Sequence, residues 1–154
     1  WRALVLSFGI CYAAVSLLFR RTLAKRSRHI ASMEVTLEGR AAALRALEDT
    51  GNALADPVSG RPVIVADAQA LAPLLGVNIP PGDAAGAVES LSRVPGLEKR
   101  AVLIPYRAVG TSLGMLAAFR PDSLKLDGAA VDALVALSEV RGEEYEAIAP
   151  ESVF

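Results

Sequence analysis

The sequence predicts a mainly β domain, closed or sandwiched and carrying short helices, behind a single transmembrane helix. Three observations predict it. Residues Trp1–Phe19 form an apolar run with no charge after Arg2. A basic run follows at once. From Ala31 onward, short alternating or apolar stretches are separated by turn residues, with little of the period a helix requires. At 154 residues and 53% hydrophobic content, the chain is about one domain with enough material to bury a core.

The first element is the span. At about 1.5 Å per residue, a helix from Trp1 to Phe19 reaches roughly 28 Å, close to the hydrocarbon thickness of a bilayer. Arg20, Arg21, Lys25, Arg26 and Arg28 follow it, with no acidic residue before Glu34. Positive residues collect on the cytoplasmic side and meet lipid headgroups there, which places the remainder in the cytosol. A cleaved signal peptide carries its basic residues ahead of the apolar run, so an anchor is expected. The first residue is Trp, and further spans are expected upstream. The expected organisation is therefore a last membrane helix over residues 1–19, a basic juxtamembrane linker over 20–30 and a cytosolic domain over 31–154.

The β elements follow in order. MEVTLEG (Met33 to Gly39) alternates and ends in a turn at Glu38-Gly39-Arg40, after which AAALRALED runs as a second strand. RPVIVAD (Arg61 to Asp67) follows a turn at Pro57 to Gly60. Asp67 is a plausible N-cap for a short helix or turn that stops at Gly76. The stretch Val77 to Lys99, rich in Pro, Gly, Ala and Ser, reads as a flexible excursion. AVLIPYRAVG (from Ala101), GMLAAFRP (from Gly114), SLKLDG (from Ser123) and VDALVALS (from Val131) read as four further strands. Asp127-Gly128 marks a hairpin between the last two.

Composition excludes several chemistries. From Ala31 onward ten basic residues face 17 acidic ones, a net charge of −7, which argues against nucleic acid as a partner. Cys11 is the only cysteine and lies in the apolar run. His29 is the only histidine, within the basic cluster. Neither a thiolate or zinc site nor a histidine base is expected in the domain, and no cofactor is implied. Gly110-Thr111-Ser112-Leu113-Gly114 matches G-x-S-x-G, but a nucleophile elbow needs a strand-to-helix turn and a later histidine, and none follows. Chemistry must rest on carboxylates, hydroxyls, Lys or Arg.

Asp49-Thr50-Gly51-Asn52 is where such chemistry concentrates. One reading is a polar turn, since Asp and Asn bond their own backbone and Gly accepts positive φ. The other is an aspartic peptidase loop. There two carboxylates share one proton, so that one activates water while the other donates to the scissile carbonyl. Asp49 would be the acid, Thr50 would bond the opposite loop, and Gly51 would let the two backbones approach.

DTGNALADPVSGRPVIV (Asp49 to Val65), IPYRAVG (Ile104 to Gly110), AFRPDSLKL (Ala118 to Leu126) and YEAIAPESVF (Tyr145 to Phe154) resemble, in the same order, blocks of the sporulation sigma-E factor-processing peptidases of endospore-forming bacteria. The resemblance implies a membrane-bound aspartic endopeptidase whose cytosolic domain is similar to the retroviral peptidases, a pepsin-like half. It implies several spans upstream and, as substrate, a sigma-factor precursor that loses its N-terminal pro-segment. It also implies the mother-cell side of the sporulation septum and an activating signal protein from the forespore side. Carried onto this chain, Asp49 is catalytic, and Thr50 and Gly51 complete its loop. Asn52, Arg107 and Arg120 are candidates for substrate contact. The flap is sought around Asp56 to Arg61 or in Val77 to Lys99. For the late apolar-apolar-Gly motif, Ala108-Val109-Gly110 and Leu134-Val135-Ala136 both remain open. Glu48, beside the catalytic acid, should point away from it.

A second catalytic carboxylate is still required. Asp127-Gly128 lacks the hydroxyl residue and Asp122-Ser123 lacks the glycine, so a homodimer that joins two copies of Asp49 is expected. The alternative is a non-catalytic, membrane-tethered interaction or sensor domain in which DTGN is only a turn.

Overall fold

The computed structural model describes residues 29–79, 82–108, 111–140 and 142–154, together with Tyr12. Apart from Tyr12, the expected span lies outside them, as does the basic linker before His29. Among the described residues no helix is long and apolar enough to cross a membrane.

Nine strands among the described residues form a single open sheet. In chain order they are β1 (Ile30–Leu37), β2 (Arg40–Asp49), β3 (Val63–Asp67), β4 (Ala101–Ala108), β5 (Thr111–Phe119), β6 (Ser123–Leu126), β7 (Ala129–Ala130), β8 (Leu134–Ser138) and β9 (Ala147–Pro150). Across the sheet the order is β4-β5-β8-β3-β9-β2-β1-β6-β7. The mainly β expectation holds. The closed or sandwiched form does not, because among the described residues β4 and β7 are the two edges of an open sheet.

The alternation of Ala31, Met33, Val35 and Leu37 produces β1, since side chains two apart share one face and these four are buried. Glu38 and Gly39 then turn the chain with φ of 49° and 73°, the two positive values a tight hairpin needs to match strand twist. Asp127 (φ 47°) and Gly128 (φ 83°) repeat the device between β6 and β7. The hairpin partner of SLKL is thus the short β7 rather than β8. Strand β8 instead enters the centre of the sheet, parallel to β3 and antiparallel to β5.

Helix α1 (Ala68–Leu75) is capped as its ends predict. The Asp67 carboxylate accepts from Gln69 N and Ala70 N at 3.0 Å each, and Gly76 closes the helix at φ 71°. The stretch Val77 to Lys99 differs from the expected flexible excursion. It contains α2 (Ala84–Ser92), capped by Asp83, and it buries Ile79, Ala87, Leu91, Val94 and Leu97. Helix α1 packs against β2 and β3, and α2 against β4 and β5. The larger core joins both helices to β1, β2 and the sheet centre. A smaller cluster of Val63, Ile104, Ala118, Leu134 and Ala136 forms separately.

Candidate active site at the end of strand β2

Strand β2 is internal, and its last residue is Asp49. Ile30 opposes Leu47 on the β1 side, while Ala147 to Pro150 of β9 run parallel to Ala46 to Asp49 on the other. The Glu48 N–H donates to the His29 carbonyl at 2.9 Å. Asp49 is therefore presented from a backbone held on both flanks. Its neighbour Glu48 has its carboxylate 3.4 Å from His29 Nδ1, and Glu48 does not line the cavity that Asp49 faces.

The loop itself is an Asx turn. Gly51 N–H donates to Asp49 Oδ1 at 2.9 Å, and Asn52 N–H donates to the Asp49 carbonyl at 3.1 Å. A Cβ on Gly51 would stand 3.2 Å from Asp49 Oδ1, so glycine leaves the carboxylate its place. Asp49 Oδ2 accepts no hydrogen bond from the described residues. Thr50 and Gly51 are exposed. Asn52 Oδ1 accepts from Leu54 N–H at 3.0 Å, while its Nδ2 is buried without a partner among the described residues.

Beyond the loop, Ala55 bridges Pro62 around a tight turn. Asp56 organises that turn, accepting from the Ser59 hydroxyl, from Val58 N–H at 3.1 Å and from Ser59 N–H at 3.0 Å. Those bonds, the Ser59 hydroxyl first, hold its carboxyl below the ordinary range. Asp56 shapes the entry to β3 and does not line the Asp49 cavity.

That cavity has a volume of about 1000 Å³. The DTGN loop forms one side, Val65 and Ile148 line it from β3 and β9, and Pro105, Tyr106 and Arg107 of β4 contribute a further wall. Asp49 is the one carboxylate among the described residues that line it. Asn52 and Arg107 are thus brought to Asp49. Arg120 is not: it lines a separate cavity of about 550 Å³ with Arg100 and Asp122, and its guanidinium stands 3.5 Å from Asp132. Neither segment named as a flap, Asp56 to Arg61 or Val77 to Lys99, lines the Asp49 cavity; the β4–β5 hairpin does.

Of the two late apolar triplets, Leu134-Val135-Ala136 is buried in β8 beside β3, and Val109-Gly110 lie outside the described residues. The G-x-S-x-G match opens strand β5 from Thr111, with no strand-to-helix turn for a nucleophile. Sequence reasoning missed Tyr106 and Ser138, which line the cavity with Asp49. Tyr106 carried one signal, its place beside Arg107 in IPYRAVG. Ser138 carried none. No group of three or more His, Cys, Asp or Glu able to hold a metal occurs among the described residues.

The sporulation sigma-E factor-processing peptidase of Priestia megaterium is 28% identical over 101 residues, which are 63% of this chain and 32% of that protein. The match therefore spans about a third of that relative's length. Residues 1–152 match the family model Peptidase_U4, Sporulation factor SpoIIGA, and on that coverage the chain belongs to this family.

Proposed function

We propose that the chain is the catalytic part of a membrane-anchored aspartic endopeptidase that removes the N-terminal pro-segment of a sporulation sigma-factor precursor. The observation that carries this reading is the position of Asp49: an ionisable group at the end of an internal strand, alone among the described lining residues of a large cavity in being a carboxylate. Family membership supports the peptidase assignment. The name of the Priestia relative, a sigma-E factor-processing peptidase, supports the sigma-factor precursor as substrate.

The chemistry uses two copies of Asp49. Exposed Thr50 and Gly51 leave the loop open to a second loop across a two-fold axis. Two carboxylates at close range cannot both ionise readily, so the pair holds one shared proton. The ionised member draws a proton from water, which attacks the scissile carbonyl, while the protonated member donates to the carbonyl oxygen. Gly51 N–H fixes Oδ1 and leaves Oδ2 for water. Asn52 and Arg107 contact the substrate backbone or side chains. Residues 1–19 anchor the enzyme in the mother-cell side of the septal membrane, the peptidase domain faces the cytosol, and a forespore-side protein activates it.

A second reading has an observation of its own. The bond from Gly51 N–H to Asp49 Oδ1 is also what a purely structural turn would make, as in a tethered sensor domain. One experiment separates the two. The full-length protein and its candidate precursor are co-expressed and the precursor is scored for a size shift, with wild type against Asp49→Asn. Loss of processing by a folded Asp49→Asn protein supports the peptidase, and normal processing by it leaves only the turn.

A further inference from the structure

Four segments meet at His29, the single histidine of the chain. Its carbonyl accepts from Glu48 N–H at 2.9 Å, a bond that ends the β1–β2 ladder one residue short of Asp49. Its Nδ1 stands 3.4 Å from the Glu48 carboxylate, and its Nε2 stands 3.6 Å from Asp127 Oδ2 in the β6–β7 turn. The ring also meets Phe154, in the tail that follows β9, edge to face with centroids 5.4 Å apart. Both neighbours of β2 therefore converge here: β1 starts directly after His29, and the tail of β9 lies against it.

The charged partners are well defined. Asp127 is fixed in place, because its Oδ1 accepts from Ser32 N–H at 2.8 Å and its own N–H donates to the Ser32 carbonyl at 2.8 Å. Farther along the β1–β6 ladder, Glu34 and Lys125 hold each other at 2.9 Å. Glu48 and Asp127 are thus the charged groups that face His29 among the described residues, and Arg28 precedes it in the chain. Both separations exceed those of direct hydrogen bonds, so the charge on the imidazole decides the attraction. A neutral imidazole has one N–H to offer, whereas an imidazolium has two and a positive charge. Histidine changes between these forms in the range of about pH 5 to 8.

We propose that His29 is a positioning residue for Asp49: as an imidazolium it clasps Glu48 and Asp127 together and fixes the end of β2, so that processing depends on its charge. The proposal rests on the peptidase reading and adds a residue that the reading does not use. Asp49 follows Glu48 directly, and a small displacement of a reacting group is costly in rate. When the imidazole is neutral, the backbone bond from Glu48 N–H remains and the pull on the two carboxylates is lost. The imidazole is half exposed, which limits the effect of the clasp to about two- to fivefold. Residues 20–28 lead into His29, so the same clasp ties the incoming chain to the strand that bears Asp49.

The test uses the full-length protein in membrane fragments open to buffer on both faces, supplied with the sigma-factor precursor of the same organism at about pH 6 and about pH 8. Each variant is compared with wild type at the same pH, which removes the pH dependence of the Asp49 pair itself. His29→Gln should process about two- to fivefold more slowly than wild type at the lower pH and equally fast at the higher. His29→Arg, a cation at both, should match wild type at the lower pH and exceed it at the higher. Glu48→Gln and Asp127→Asn should each reproduce part of the His29→Gln loss. Trypsin cleavage after Arg28, identified by fragment mass, reads the clasp without using the activity. Its rate in His29→Gln relative to wild type should be about two- to fivefold higher at the lower pH than at the higher. A histidine with a merely structural role would give one ratio at both. A constant ratio in either assay, or a loss in His29→Arg as deep as in His29→Gln, overturns the proposal. Processing that persists in Asp49→Asn overturns the peptidase reading instead, and leaves the trypsin result to stand by itself.

Discussion

Arg45 and Glu146, 101 residues apart, are joined by three hydrogen bonds of 2.9 Å: Arg45 N–H donates to Glu146 Oε2, Arg45 Nη2 donates to Oε1, and Glu146 N–H donates to the Arg45 carbonyl. They fasten the start of the β2–β9 ladder, which ends beside Asp49. The Arg45 guanidinium, with the Arg45 N–H, holds the Glu146 carboxyl below its ordinary range.

A pH dependence follows from that direction. A carboxylate with a lowered folded-state pKa contributes stability above its unfolded value, about 4.3 for Glu, and loses it as pH falls through the folded value. Thermal melting of the protein in detergent should therefore weaken as pH falls below about 4.3, and Glu146→Gln should flatten that dependence while lowering stability at pH 7. An unaltered acid profile in Glu146→Gln would show that the pair does not fasten β9.

Substitution at Gly51 should separate folding from activity. The Cβ of Gly51→Ala, 3.2 Å from Asp49 Oδ1, displaces the carboxylate without entering the core. Precursor processing should fall about ten- to a hundredfold with little change in melting temperature. A fully active Gly51→Ala enzyme would dissociate the loop from the chemistry.

Dimeric catalysis predicts poisoning. With wild-type protein held constant and Asp49→Asn protein co-expressed in threefold excess, random pairing leaves about a quarter of wild-type chains with a wild-type partner, so processing should fall about fourfold. Thr50→Ala should weaken both association and activity. A monomeric enzyme would lose nothing to the mutant chain.

Leu91→Ala and Leu97→Ala test whether the segment from Val77 to Lys99 is structural. Both side chains are fully buried. Each truncation should cost about 2–5 kcal/mol, measured by denaturant unfolding. Losses below about 0.5 kcal/mol would return the segment to the flexible class.

The anchor expected from the sequence makes a prediction of its own. Protein carrying Trp1 to His29 should sediment with membranes and resist high-salt extraction, because salt screens headgroup attraction and leaves hydrophobic insertion intact. Release by salt alone would reduce the apolar run to a peripheral contact.

What the sequence revealed depended on how local the cause was. Strands β1 and β2 were legible because Met33, Val35 and Leu37 alternate and Glu38-Gly39 ends the run. Helix α1 was legible from Asp67 and Gly76. Helix α2 was obscured by its own composition: AAGAVESLS reads as loop, although Ala87 and Leu91 stand four apart and are both buried. Strand β9 has four residues and ends in Pro150, and it exists only because β2 and β3 flank it, a pairing across a hundred residues that no local pattern records. For the same reason the DTGN loop could be picked out while its opposite wall could not. Tyr106 reaches the site through the hairpin register, not through its neighbours in sequence.

The parallel pairing of β9 with β2 also sets the order of events during synthesis. Asp49 leaves the ribosome about a hundred residues before Ala147 to Pro150, which at about 5–20 residues per second is about 5–20 s. Throughout that interval the strand bearing Asp49 lacks one flank, and the wall that carries Ile148 does not exist. A nascent chain therefore carries Asp49 for that interval before the cavity that Asp49 lines is complete.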